Sequence, residues 1–170
     1  MPRYIALLRA VNVGGTGTLP MAKLRSICVD AGFAHVETYI ASGNVVFDSK
    51  ATPSRVKAEL EARLLAFAGK PVGVVVRTAT EMAAVLEGNP FRKAEPKHTY
   101  VVFLDRRPPR DALDHAVGQR EEETRLGDRE IFIHYPSGMG RSKLRIPAAR
   151  PGTARNLNTV AKLTDIAAMT

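Results

Sequence analysis

Basic side chains are concentrated in one stretch near the C-terminal end of the chain. Residues 131–164 contain no Asp or Glu. Arg141, Lys143 and Arg155 lie in this span and offer charge-assisted hydrogen-bond donors, which suit a phosphate or a carboxylate. The six Lys and Arg residues of the span are Arg141, Lys143, Arg145, Arg150, Arg155 and Lys162. This pattern predicts a binding site for a small phosphorylated or otherwise anionic ligand.

The basic stretch is predicted to cross a long loop, residues 136–152, and to end at the last helix. Thr153 can cap that helix with its side-chain oxygen. Arg155, Asn156 and the free N–H groups of the first turn would then lie together, where the helix dipole also favours an anion. We therefore include Arg155 and Asn156 among the predicted ligand-binding residues.

His134 is the candidate catalytic residue, because it is the only histidine beside the basic cluster and a histidine can donate or shuttle a proton. No Ser-His-Asp grouping, paired carboxylates or nucleophile elbow accompanies it. Whether the protein is an enzyme is therefore left open. No metal site is predicted, since one cysteine and four scattered histidines lack ligand spacing.

Two turns in the first half supply further candidates. The glycine-rich turn at residues 12–17 has two of the three glycines of a dinucleotide-binding loop, but Pro20 stands at the third position. It is either a tight strand–helix turn or a turn that donates N–H groups to a ligand. A second turn, at residues 41–44, suits a hairpin. The candidates from these two turns are Asn12, Gly14, Gly15, Ser42 and Asn44.

The composition is that of a soluble globular protein. The 170 residues suffice for one sizeable core or for two small α+β halves. No apolar run approaches the roughly 20 residues that cross a bilayer, so no membrane partner is expected. The single cysteine, Cys28, fits a reducing cytoplasm. The net charge of +8 permits attraction to phosphates, although such charge also serves solubility alone.

The pattern of apolar residues and turn signals predicts an α+β fold made of two subdomains. Residues 1–77 have the order βαββαβ, which is the ferredoxin-like motif. Its second helix is predicted to be capped by Thr52, to have Pro53 at its first position and to end at Gly69. Residues 78–170 are predicted to follow the order αβαββα. A capping box at residues 78–81 opens this half, and a short polar helix follows the prolines at 108–109.

Several separated motifs resemble the bacterial family called domain of unknown function 1697. The similarity extends over nearly the full length, with Ala10 and Leu157 replacing the family's usual Gly and Trp. It implies a compact two-subdomain α+β fold, a cytoplasmic protein and no known cofactor, and it carries no activity. It also implies that Arg9, with the candidates named above, belongs to the family's motifs, and we expect these residues to converge on one cleft between the halves. The matching motifs are residues 7–15, 42–47, 89–91, 134–144, 153–156, 158–159 and 162–163.

Three functions are compatible with these observations. The first is a cleft for a small anionic ligand, for example a nucleotide, with or without catalysis by His134. The second is a nucleic-acid-binding module that uses the basic 141–155 stretch. Few aromatic residues and no recognisable RNA-binding aromatic motif count against that function. The third is a protein-interaction domain whose basic loop meets an acidic partner.

Overall fold

The computed structural model describes residues 1–9, 19–39 and 43–169, and this part of the chain has the predicted α+β class. Its strands form two four-stranded antiparallel sheets. The strands are β1 (Arg3–Leu8), β2 (Ala34–Tyr39), β3 (Asn44–Asp48), β4 (Val74–Thr78), β5 (Thr99–Phe103), β6 (Glu123–Leu126), β7 (Glu130–His134) and β8 (Thr153–Asn156), and the α-helices are α1 (Met21–Asp30), α2 (Pro53–Ala68), α3 (Ala79–Glu87) and α4 (Leu157–Ala168). Two compact units contain these elements.

The first unit comprises Met1–Ala83 and Leu163–Thr170. Its sheet has the strand order β2-β3-β1-β4, and β1 to β4 with α1 and α2 follow one another in the order βαββαβ. The predicted signals of α2 are confirmed: Thr52 Oγ1 accepts a hydrogen bond from Arg55 N at 3.3 Å, and Gly69 ends the helix at a φ of 73°. A left-handed φ of this kind costs glycine little.

The core of the first unit lies between one face of its sheet and the two helices. Because side chains alternate along a strand, every second residue of β1 faces this core. Both helices contribute residues at helical spacing from one side. The buried members are Tyr4, Ala6, Leu8, Leu19, Leu24, Ile27, Cys28, Phe33, Val36, Val45, Phe47, Val56, Leu60, Leu64, Val74 and Val76.

The second unit, Ala84–Lys162, repeats this strand arrangement with less helix. Its sheet has the order β6-β7-β5-β8, so its second, third, first and fourth strands are neighbours, as in the first unit. Between β5 and β6 the predicted short helix is a single 3₁₀ turn, Ala112–His115. It is shorter than predicted: the chain leaves the turn at Ala116, and Val117 pairs with Arg145. Between β7 and β8, at the chain position of α2, lies the loop of residues 136–152.

The predicted order αβαββα lacks strand β8, which pairs with β5. Thr153 is therefore not the cap of the last helix, as we predicted, but the first residue of this strand. Asn156 caps α4, since its Oδ1 accepts a hydrogen bond from Thr159 N at 2.9 Å. The four polar or small residues of β8 carry no strand pattern of their own. Their pairing with β5, about fifty residues earlier, decides the conformation.

The loop between β7 and β8, called the basic loop below, also forms part of the second core. Its residues 141–146 alternate: the basic side chains are exposed, while Ile146 is buried and Leu144 is half-buried. Leu113, from the 3₁₀ turn, packs against the same core. The loop and this turn thus cover one face of the second sheet. The corresponding face of the first sheet is covered by α1 and α2. The buried members of this core are Val102, Leu104, Ile131, Ile133, Tyr135 and Ile146.

Candidate functional site

Two glutamates just before β6 anchor the basic loop. Glu122 accepts hydrogen bonds from Ser142 Oγ and, at 2.7 Å, from the backbone N–H of Arg120. The bond from Ser142 is the main reason that the pKa of Glu122 lies below its ordinary value, so this carboxylate is ionised at neutral pH. Glu121 accepts a hydrogen bond from Ser137 Oγ. Both carboxylates are thereby engaged by the loop itself.

The backbone of the basic loop is fastened to the same segment. Val117 and Arg145 form an antiparallel bridge with two N–H···O bonds of 2.9 Å. Gly118 has a φ of 72°, and a Cβ at this position would lie 2.2 Å from the carbonyl oxygen of Lys143. Only glycine allows this approach without a backbone shift. The position of Lys143 is therefore fixed by backbone contacts.

A small cavity of about 180 Å³ lies between the basic loop and residues 117–122, the segment that anchors it. Arg120, Arg141 and Lys143 supply its positive charges. The side chains of Arg141 and Lys143 are exposed, and within residues 1–9, 19–39 and 43–169 no hydrogen bond or ion pair engages either of them. The full lining is Gly118, Arg120, Glu121, Glu122, Tyr135, Pro136, Ser137, Gly138, Arg141, Ser142 and Lys143.

The size of this cavity limits what it can hold. Pockets for drug-sized ligands have about 300–1,000 Å³. The cavity can therefore enclose one phosphate or carboxylate group with a few attached atoms, and anything larger would extend into solvent.

The first-half candidates belong to the first unit, and four of them fall outside the described residues. Arg9 is exposed at the end of β1, and its backbone N–H donates to the carbonyl oxygen of Gly73 at 2.8 Å. Asn44 is buried, and its Nδ2 donates to the carbonyl oxygen of Tyr39 at 2.9 Å. The candidates outside the described residues are Asn12, Gly14, Gly15 and Ser42.

Arg155 and Asn156 lie on β8 and do not line the cavity. Arg155 is only 6% exposed, and its Nη1 donates to Thr153 Oγ1 at 2.6 Å and to the carbonyl oxygen of Ala154 at 2.9 Å. Burial lowers the pKa of Arg155 to about 10, so it remains positively charged at neutral pH. Asn156 acts as the helix cap described above.

His134, the candidate catalytic residue, ends β7 and does not line the cavity either. Its side chain is 16% exposed, with Nδ1 3.8 Å from Glu123 Oε1 and the ring 6.1 Å from that of Phe91 between centroids. Among the described residues, Nδ1 has no hydrogen-bond partner. The next residue, Tyr135, faces the cavity and the core, and the alternation of a strand places His134 on the opposite face.

Sequence reasoning missed the acidic wall of the cavity. None of residues 117–122 was among the predicted site residues. A signal was available, because residues 121–123 are three consecutive glutamates in a basic chain that has a long span without carboxylates. Opposite charges on two segments that flank one hairpin indicate a contact between them.

In the described ranges, no group of three or more His, Cys, Asp and Glu side chains could hold a metal ion. Among the helices in those ranges, none is long and apolar enough to cross a bilayer.

Known proteins resemble this chain in sequence and in fold. No curated protein matches it. The structure of the conserved bacterial protein SP0830 from Streptococcus pneumoniae is similar, with 25% sequence identity, 99% of each chain covered and a TM-score of 0.82. A family model matches residues 1–132, so the basic loop lies beyond the matched range. Because that match covers more than half of the sequence, the chain belongs to the family described as Protein of unknown function (DUF1697).

Proposed function

We propose that the second unit binds a small anionic ligand, bearing a phosphate or carboxylate group, in the cavity beside the basic loop. The observation that carries this proposal is the pair Arg141 and Lys143. Both side chains are exposed at the cavity and have no partner among the described residues. Charged donors without a protein partner are free to bind an anion.

The acidic residues of the cavity favour the same charge of ligand. Glu121 is engaged by Ser137, and Glu122 by Ser142 and Arg120. Their negative charges serve to hold the loop, and they offer little to an incoming cation. Three basic side chains line the cavity against these two carboxylates, which leaves an excess of one positive charge. An anion is therefore the ligand that the cavity attracts.

The volume of the cavity suits one phosphate or carboxylate group better than a whole cofactor. A sugar phosphate or a mononucleotide would enter by its phosphate, with the remainder outside the cavity. His134 lies on the opposite face of β7 from Tyr135, so the proposal concerns binding and assigns no reaction. The convergence of the wider set, from Arg9 to Asn156, on one cleft stays a prediction.

A nucleic-acid backbone is the competing source of phosphate. Arg145 and Arg150 are exposed on the same loop outside the cavity, and a row of cations can follow a phosphate backbone. Single-stranded nucleic acid is usually also held by aromatic stacking. Among the described residues, the exposed large hydrophobic set contains one aromatic, Phe67, which belongs to the first unit. This absence beside the loop favours the small anion.

Thermal unfolding with a panel of anions tests the proposal. The panel contains inorganic phosphate, sugar phosphates, mononucleotides, small carboxylates and heparin, each at low and high salt. A ligand at about one hundred times its dissociation constant adds about 2.7 kcal/mol, or about 5–10 °C for a protein of this size. We expect such a shift from a small anion with the wild type. It should be lost in Arg141→Ala and Lys143→Ala.

Arg110→Ala is the matched control, because Arg110 is an exposed arginine of the same unit that does not line the cavity. This variant should keep the shift. A shift from heparin alone that fades with salt would replace the proposal by nucleic-acid binding, because contacts with several phosphates weaken steeply with salt. The absence of any shift would refute both.

A further inference from the structure

A second and larger cavity, of about 700 Å³, lies at another edge of the second unit. Phe103, at the end of β5, is paired with Thr153, at the start of β8. The cavity is formed by the segment that follows Phe103 and the segment that precedes Thr153. Its volume lies within the range of about 300–1,000 Å³ that is typical of small-molecule sites. It shares no lining residue with the cavity of the basic loop.

The walls of this cavity are apolar and conformationally restricted. Four prolines line it, two from each segment, and Leu104 and Ala112 form buried parts of its surface. The proline ring fixes the backbone φ, so such walls lose little freedom when a ligand binds. They also present flat C–H surfaces, which suit the face of a planar ring. The prolines are Pro108, Pro109, Pro147 and Pro151.

The close approach of the two segments depends on Gly152. A Cβ at this position would lie 2.7 Å from the carbonyl oxygen of Phe103 and 2.8 Å from Leu104 Cδ2. The absence of a side chain lets residues 147–151 lie against the end of β5. The cavity is therefore built into the pairing of β5 with β8.

Among the described residues, the charged groups at the rim leave one cation without a partner. Asp111 Oδ2 lies 3.1 Å from His115 Nε2, and Arg107 Nη2 lies 2.5 Å from Asp128 Oδ1. The carboxylate-bearing residue Asp105 is not without a partner either. Arg106 is exposed, and in the part of the chain that the structure describes no hydrogen bond or ion pair engages its side chain.

From these observations we propose that this cavity is a second ligand site, specific for a flat apolar carboxylate. The ring of the ligand packs against the prolines, and its carboxylate pairs with the guanidinium of Arg106. Arginine binds carboxylates through two parallel N–H···O bonds, which fixes orientation as well as charge. The site needs an apolar body on its ligand, unlike the cavity of the basic loop, and does not depend on the function proposed above.

Naphthoate is the probe for a first test, because it joins a flat apolar ring system to a carboxylate. Its binding to the full chain is measured by calorimetry beside three comparison compounds: acetate lacks the ring, naphthylmethylamine has the opposite charge, and inorganic phosphate lacks an apolar body. We expect naphthoate to bind and naphthylmethylamine not to bind. Any heat from acetate or inorganic phosphate should be lost in Arg141→Ala, because these anions would bind in the cavity of the basic loop.

Variants locate the site and its charge. Arg106→Ala and Arg106→Glu should weaken naphthoate binding by about tenfold or more, since a hydrogen bond to a charged group contributes about 1.5–3 kcal/mol. Ala148→Phe should weaken binding, because the added ring would occupy part of the cavity, which Ala148 lines. Arg110→Ala and Arg141→Ala should leave it unchanged. If Ala148→Phe does not fold, the two variants of the exposed Arg106 still decide the question.

The results that would overturn this site are equally specific. Naphthoate that does not bind, or binds equally well to Arg106→Glu, excludes a carboxylate site at Arg106. Equal binding of naphthylmethylamine shows an apolar pocket without charge selection. Loss of naphthoate binding in Arg141→Ala, with retention in Arg106→Ala, places the carboxylate in the cavity of the basic loop.

Discussion

Arg77 and Arg155 occupy corresponding positions in the two sheets. Arg77 on β4 is paired with Ile5, the third residue of β1, and Arg155 on β8 is paired with Val101, the third residue of β5. Each is buried, and each donates Nη1 to the carbonyl oxygen of the residue before it, at 3.2 and 2.9 Å. In both strands the residue after the arginine caps the next helix. The two units therefore share a strand–arginine–cap–helix arrangement as well as a strand order.

Replacement of either arginine by methionine should destabilise the protein. Arg155→Met removes the donor to the buried Thr153 Oγ1, and Arg77→Met removes the donor to a backbone carbonyl. A buried acceptor left without its donor costs about 1–3 kcal/mol. We expect each variant to lower the free energy of unfolding by about this amount in denaturant titrations. Arg110→Met, on the surface, should change it by less than about 0.5 kcal/mol. Equal stability of all three variants would show that the hydrogen bonds of the two buried arginines do not stabilise the protein.

Two glycines of the second unit should respond differently to alanine. Gly118→Ala forces a left-handed φ and places Cβ against the carbonyl oxygen of Lys143, so we expect a loss of at least about 1–3 kcal/mol. Gly140→Ala meets nothing within 4 Å and has no left-handed φ, so its stability should match the wild type. Thermal unfolding of both variants makes the comparison. A Gly118→Ala protein as stable as Gly140→Ala would show that the loop does not approach residue 118 in this way.

The cap of α4 can be checked with two neighbouring asparagines. Asn156→Ala removes the side-chain acceptor of the Thr159 N–H and should cost about 0.5–2 kcal/mol. Asn158 is exposed inside the helix, where alanine is the better helix former. Asn158→Ala should therefore be neutral or slightly stabilising in the same denaturant titration. Destabilisation by Asn158→Ala alone would place the helix start elsewhere.

The anchor of the basic loop should be sensitive to acid. Because the hydrogen bond from Ser142 holds the pKa of Glu122 below its ordinary value of 4.5, the folded state binds this proton less readily than the unfolded state. The stabilisation is thus present above that ordinary value and is lost as the pH falls through the lower, folded pKa. Ser142→Ala should raise the pKa of Glu122 and reduce this acid-dependent loss.

An NMR titration of the Glu122 carboxyl group, in the wild type and in Ser142→Ala, measures the shift directly. Unfolding in denaturant between about pH 7 and pH 3 gives the linked change in stability. Ser137→Ala is the comparison, since Ser137 bonds to Glu121 and should leave the pKa of Glu122 nearly unchanged. An identical pKa in wild type and Ser142→Ala would rule out this anchor.

Local signals in the sequence determined the helices α2 and α3. The cap at Thr52, Pro53 at the first helical position and Gly69 at the end define α2 through contacts within a few residues. The capping box of α3 is equally local: Thr78 and Glu81 bond to each other's backbone N–H groups. Such interactions depend on nearest neighbours along the chain, so sequence reasoning recovered them.

Arg141 and Lys143 were also predicted as ligand-binding residues from the sequence, because a basic span without carboxylates can be found from composition alone. Whether a charged residue is exposed is not local, because it depends on which segments pack around it. Arg155 belongs to the same basic span but is buried on a strand, whereas Arg141 is exposed at a cavity. The sequence therefore predicted the charge of the proposed ligand but not which arginines are available to it.

By itself, the sequence determined the α+β class, the first-half elements and the basic character of the C-terminal stretch. The tertiary structure decided that residues 153–156 form β8, because only pairing with β5 gives these residues a strand conformation. It also decided that residues 117–122 form one wall of the small cavity and that four prolines from two distant segments form the larger one. The physical reason is the same in each case. Hydrogen bonds and packing between segments far apart in the chain select the structure, and these contacts cannot be predicted from local residue preferences.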